Sequence, residues 1–326
     1  MEKLPEWLAT QGATLDALIA TQKFPHALLI HGPEGTGRRL LALWLVGRLL
    51  GLPEVDLRPA MCTADSIEAE NLPQHPDFQL VQPEADKRSI SIERIRNLIA
   101  FLNLTSHQSG AKVALLTPAH AMTGPAANSL LKTLEEPPGS SAIILVAAAL
   151  SRLPLTIVSR CRRVRVPGPT IAAATAWLKS QVPDLDWAPI LELTGGAPLS
   201  ALRLQQSDFS GHAAGLQDDI AALLERKLTP ASVARRWAGV DPDLCLQWLY
   251  RRISQEIRVA SGIPPEDLQQ VAAFGYLQNL SESLNIETSF ADLREISELR
   301  RLQGAGLNQD LQLANILGRW YGGARL

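Results

Sequence analysis

Residues 32 to 39 read Gly-Pro-Glu-Gly-Thr-Gly-Arg-Arg, the spacing of a phosphate-binding loop, G-x-x-x-x-G-K-[ST], without its last two side chains. In such a loop the glycines let the backbone turn tightly and aim its N–H groups at a phosphate, helped by the positive end of the following helix. Gly32, Gly35 and Gly37 keep that cradle. Arg38 stands where a lysine would reach the terminal phosphates, and its planar fork is a poor geometric substitute for a compact ammonium. Arg39 stands where a Ser or Thr hydroxyl would hold magnesium, and a second positive charge there repels the ion. The plain alternative is a glycine turn that matches the motif by coincidence.

The other half of a nucleotide-hydrolysing site is an acidic pair that holds magnesium and polarises water. After the apolar run Val113-Ala114-Leu115-Leu116 the sequence supplies Thr117-Pro118. Neither offers a carboxylate to a metal or a general base to water. Two losses at one site favour a non-catalytic role over chance drift.

These residues need a strand before the loop and a helix after it. Short apolar runs alternating with helical patterns supply them and predict a parallel α/β sheet. Strands are expected at Ala27–His31, Asp77–Gln82, Lys112–Thr117, Ala142–Ala147 and Arg162–Val166, the last with one wet face. Helices are expected at Arg38–Leu50, Ile92–Leu102, Thr123–Leu134 and Leu153–Ser159, the third stopped before Pro137-Pro138. Pro167-Gly168-Pro169 marks a domain end, because it suits neither helix nor central strand. Short helices around Gly195-Gly196 follow, and beyond Ser210 the patterns are helical, at Leu244–Val259, Leu268–Leu284, Leu293–Leu302 and Leu311–Trp320. The expected division is an α/β domain at 1–167, a small helical domain at 168–207 and an all-α domain at 208–326.

With 326 residues, 46% of them hydrophobic and 20% charged, the chain has the make-up of a folded globular protein. Its longest apolar run, Ala142 to Leu150, is too short to span a bilayer. Met1 to Gln11 lacks the apolar centre of a secretory signal, so the cytoplasm is expected. A net charge of -2 argues against strong autonomous binding to nucleic acid. Arg160, Arg162, Arg163 and Arg165 form the densest basic cluster, either a solvated strand face or a local DNA contact. The seven tryptophans are scattered, which suits packing anchors rather than a base-stacking platform. Cys62, Cys161 and Cys245 match no disulfide framework and no C-x-x-C metal spacing.

The segments Pro25–Gly37 (PHALLIHGPEGTG), His75–Phe78 (HPDF), Lys112–Pro138 (KVALLTPAHAMTGPAANSLLKTLEEPP) and Leu153–Cys161 (LPLTIVSRC) resemble the bacterial clamp-loader branch of the AAA+ proteins. Within that branch they are most similar to the delta-prime subunit family of the DNA polymerase III holoenzyme. The resemblance ties down residues 25 to 166. It implies an AAA+ domain, a helical lid and a collar for oligomerisation. It also implies that Ser159-Arg160-Cys161 is the SRC motif, whose arginine reaches a neighbour's ATP site as an arginine finger. The family's polar sensor falls on Ala147 or Ala148 and its later sensor arginine near Ala197-Pro198, so both are missing. Many relatives carry a four-cysteine zinc module where this chain has only Cys62, and Cys62 with His75 falls two ligands short of a structural zinc. No metal and no cofactor are expected.

The resulting expectation is a clamp-loader subunit that is not an enzyme on its own. It sits beside a gamma/tau ATPase subunit, supplies Arg160, and helps the delta subunit open the sliding clamp on primed DNA. Two rivals stay open: an active P-loop ATPase or nucleotide kinase in which Arg38 improvises for lysine, and a scaffold outside replication that keeps only the fold. For Arg160 itself the alternative is an ordinary arginine at a helix end.

Overall fold

The computed structural model describes residues 4–52, 74–84, 87, 89–107, 110–206, 209–239, 242–262, 286–301 and 309–321. Five strands among them form one parallel sheet: Ala27–His31 (β1), Phe78–Val81 (β2), Lys112–Leu116 (β3), Ser141–Ala147 (β4) and Arg162–Arg165 (β5). Their order is β2-β3-β4-β1-β5. The chain therefore leaves β1, which lies inside the sheet, starts again at the far edge with β2 and returns through β3 and β4 to β1's side.

The three inner strands are apolar except for one end residue each, His31, Lys112 and Ser141, because helices cover both faces. On one face Leu28 and Ile30 of β1, Val113 and Leu115 of β3, and Ile144 and Val146 of β4 pack with helices Ala9–Ala20 (α1) and Arg38–Leu49 (α2). On the other, Leu29, Ala114, Leu116, Ile143 and Leu145 pack with Ile92–Leu102 (α3) and Gly124–Glu135 (α4). The alternation is the period of two that a pleated strand imposes. Ser91 caps α3 by accepting the Arg94 N–H, and Thr123 caps α4 by accepting the Ala126 N–H.

Each strand lies within one residue of its expected bounds at either end. The helix expected at Leu153–Ser159 is shorter, Leu155–Val158 (α5), because Pro154 holds Leu153 in an extended conformation. Strand β5 has the one wet face expected of it, with Arg163 and Arg165 exposed and Val164 and Val166 packed on the core. Arg162 is exposed as well, since it begins an edge strand paired only to β1. Sequence reading passed over α1, which buries only Gly12 and Leu15 and so has a weak apolar stripe.

The chain separates into two compact units, Met1–Pro183 with Gly196–Arg203, and Asp184–Gly195 with Leu204–Leu326. Pro167-Gly168-Pro169 lies inside the first unit. Helix Ile171–Gln181 (α6) belongs to the first, Ala188–Leu193 (α7) to the second, and Pro198–Gln206 (α8) supplies residues to both.

The second unit is helical wherever elements are assigned: Phe209–Leu224 (α9), Pro230–Ala238 (α10), Pro242–Ala260 (α11), Ile286–Arg301 (α12) and Gln309–Tyr321 (α13). The helix expected at Leu268–Leu284 lies outside the described residues. Helix α10 packs on α13, and α11 on α12. One device recurs in this unit. The buried carboxylate of Asp219 accepts the Trp237 indole N–H at 3.1 Å and pairs with Arg236. That of Asp292 accepts the Trp320 indole N–H at 3.0 Å and pairs with Arg319. A carboxylate removed from water needs such partners, and here each one ties two helices together.

Candidate functional site

The phosphate loop leaves the carboxyl end of β1 and turns into α2. Gly35 (φ +69°) and Gly37 (φ +103°) occupy left-handed backbone conformations that L side chains rarely adopt. Both are also crowded. A Cβ at Gly35 would lie 2.1 Å from Ser200 Oγ, and one at Gly37 would lie 2.8 Å from Leu8 Cδ1. The loop is pinned from two directions. The Leu199 N–H donates to the Gly35 carbonyl at 3.0 Å, and the Trp7 indole N–H donates to the Thr36 carbonyl at 2.8 Å. Trp7, Leu8, Leu199 and Ser200 were not legible as loop partners in the sequence, since nothing in their local pattern points to residues 35 to 37.

Arg38 and Arg39 open α2. Across the face of β4, Thr117 follows β3 and is fully buried. Arg39 Nε donates to Thr117 Oγ1 at 3.3 Å. The residue at the magnesium-hydroxyl position and the residue at the acidic-pair position therefore touch each other. The contact brings the positive charge of Arg39 up against Thr117. Pro118, with no backbone N–H, leads into a short 3-10 turn at Ala119–Ala121.

Beside the loop, His31 pairs in register with Ala147 on one side and Arg165 on the other. Burial, then Arg163, Arg165 and Arg38, holds the imidazole below its ordinary pKa. Ala147 ends β4, and Ala197 is buried against Gly35; neither side chain can hydrogen-bond a phosphate. Among the described residues no three or more His, Cys, Asp or Glu side chains gather as a metal site. Cys62 lies outside them, and His75 Nδ1 accepts the Asp77 N–H at 3.1 Å.

Ser159, Arg160 and Cys161 join α5 to β5. Arg160 bonds Glu135, at 2.6 Å through Nε, and the Thr156 carbonyl at 3.0 Å through Nη1. Ser159 Oγ donates to the Thr156 carbonyl at 3.2 Å. Cys161 points inward, and burial pushes its thiol up to about 12. A thiol held protonated is a poor nucleophile. Iodoacetamide at neutral pH is therefore expected to leave Cys161 unmodified in the native chain and to label it in denaturant, as read by peptide mass spectrometry.

Sheet order, a glycine loop between β1 and α2, and a helical remainder define a P-loop α/β protein of the AAA+ class. No helix among the described residues is long and apolar enough to cross a membrane. Comparison with known families narrows the class. Residues 9–170 match the family model described as DNA polymerase III, delta subunit, and residues 216–322 match the separate model for the C-terminal part of that subunit. A DNA polymerase III subunit delta' of Pseudomonas aeruginosa is 35% identical over 68% of this chain and 69% of its own length. One of Yersinia pestis is 29% identical over 96% and 94%. A gamma subunit-related protein of Thermotoga maritima shares the fold at TM-score 0.54 and 23% identity, over 95% of this chain and 99% of its own. The chain belongs to the delta-prime subunit family of DNA polymerase III.

Proposed function

We propose that the chain works as a clamp-loader subunit that does not turn over ATP itself and provides Arg160 to the ATP site of an ATPase subunit bound beside it. In that role it helps the delta subunit open the sliding clamp on primed DNA in the cytoplasm. Residues 1–167, 168–207 and 208–326 are its AAA+ domain, lid and oligomerisation collar, and its ATPase neighbours are of the gamma/tau kind. Family membership supports the clamp-loader role.

One observation carries the trans reading. The phosphate loop follows the carboxyl end of β1, whereas Arg160 precedes the amino end of β5, and the two strands are parallel neighbours with Leu28 opposite Arg162 and His31 opposite Arg165. At ~3.3 Å per residue those paired positions alone span roughly 10 Å. Arg160 and the chain's own loop thus lie at opposite ends of the sheet. A triphosphate that meets this guanidinium must come from another molecule.

The Arg39–Thr117 contact supports the absence of turnover, because a magnesium ion would have to displace a positive charge. Isothermal calorimetry of the isolated chain with magnesium-ATP is expected to register no binding at micromolar concentrations. A micromolar site, accompanied by magnesium-dependent hydrolysis, would favour the rival reading as an active P-loop enzyme.

A further inference from the structure

Arginine carries five N–H donors, grouped into a side edge (Nε with Nη2) and an end edge (Nη1 with Nη2). Both members of the side edge of Arg160 donate to Oε1 of Glu135. Nη1 donates to the Thr156 carbonyl at 3.0 Å and to Ser159 Oγ at 3.5 Å. Of the five N–H groups, the second on Nη2 is left for a phosphate oxygen, and the full charge of the guanidinium stays with it.

Glu135 is well placed to impose this orientation. It ends α4, and the neighbouring turn is tied to the sheet where His26 Nε2–H donates to the Leu134 carbonyl at 2.8 Å. Leu130, Thr133 and Leu134 anchor the same helix in the core. Arg160 is fixed from its own side as well, its N–H donating to the Ile157 carbonyl at 3.2 Å. Between these two anchored elements the side chain of Glu135 is 48% exposed and that of Arg160 33% exposed. A pair so open to water adds little to stability. Its consequence is conformational: a long side chain that would otherwise sample many rotamers is held before any partner docks, so its ordering cost is met in advance.

We infer that Glu135 is the positioning residue of Arg160, holding the guanidinium by Nε and Nη2 so that its charge is fixed in place before the neighbour's triphosphate arrives. This deepens the trans-arginine reading and rests on it.

The test uses a reconstituted clamp loader in which only the ATPase subunit next to this chain keeps a working phosphate loop. kcat and KM for ATP are measured with primed DNA and clamp. Glu135→Ala is expected to lower kcat roughly 10- to 10²-fold, the scale of a misplaced catalytic group, with KM unchanged. On an Arg160→Ala background the same substitution should cost nothing more, because there is no guanidinium left to place. Glu135→Gln, which keeps an acceptor oxygen without the charge, should fall between wild type and Glu135→Ala, and its melting temperature and assembly should match wild type. If Arg160→Ala depresses turnover while Glu135→Ala and Glu135→Gln leave kcat at the wild-type value, the positioning role is overturned and the trans reading survives. A Glu135→Ala loss that repeats in full on the Arg160→Ala background overturns it equally. Wild-type turnover by Arg160→Ala would overturn both.

Discussion

Arg160→Ala is expected to leave the chain folded and assembled while removing roughly 10³- to 10⁵-fold from phosphoryl transfer at the neighbouring subunit's site, the contribution of an arginine finger where one has been dissected. The structural half of that expectation follows from exposure. The Arg160 side chain is 33% exposed and that of its partner Glu135 48%, and an ion pair this open contributes about 0–1 kcal/mol. The connection around it is held by other residues, Ile157 and Cys161 in the core and Val164 in the sheet. A loss of turnover therefore cannot be put down to unfolding. The functional half follows from charge: the transferring phosphate spreads negative charge over oxygens that a fixed guanidinium meets in place of water. Arg160→Lys keeps the charge and loses the fork, so it should recover only part of the rate. Steady-state ATP hydrolysis by the reconstituted complex, with primed DNA and clamp, reads this directly. Unchanged turnover would remove the trans-arginine role.

Asp77→Ala is expected to have the largest effect on stability. Asp77 belongs to the His-Pro-Asp-Phe segment, one of the stretches by which the sequence resembles its family, and its work is structural. Its side chain is 0% exposed and lies 3.1 Å from the ammonium of Lys112, itself 4% exposed. The same carboxylate accepts the His107 N–H at 2.8 Å and the Ser106 hydroxyl at 3.1 Å. Lys112 also donates to the Pro76 carbonyl at 3.2 Å and sits 4.5 Å above the Phe101 ring. Deleting the carboxylate leaves a buried cation without its counter-charge and strands its other donors, a change that costs about 3–5 kcal/mol. Because Asp77 and Lys112 join β2 to β3, the loss falls on the sheet that carries the phosphate loop. Denaturant unfolding of the variant should show an early transition, and a shift of under about 1 kcal/mol would mean the pair is not the determinant proposed.

Both expectations concern pairs far apart in sequence, and that separation explains what could be read in advance. Strand positions were legible because a strand buried on both faces leaves a short apolar run bounded by turn residues, as at Ala27–His31 and Lys112–Leu116. The degenerate loop was legible because its three glycines, Gly32, Gly35 and Gly37, must fall within one short stretch of chain to turn it. The wet face of β5 was legible in the same way, from the alternation of Arg163 and Arg165 with Val164 and Val166. That the strand lies at an edge depends on sheet order, which no local pattern encodes.

By themselves, then, the residues determined what chemistry is missing: no loop lysine, no metal hydroxyl, no acidic pair, and an arginine in a motif of its own. The tertiary structure alone decided what stands in those places and what each group faces. Arg39 meets Thr117 across 78 positions, and Arg160 meets Glu135 across 25. Leu8 and Ser200 close on the same glycine loop from distant parts of the chain. Composition and spacing are properties of neighbours along the chain, whereas these contacts arise only when parallel crossovers bring the ends of separate strands together.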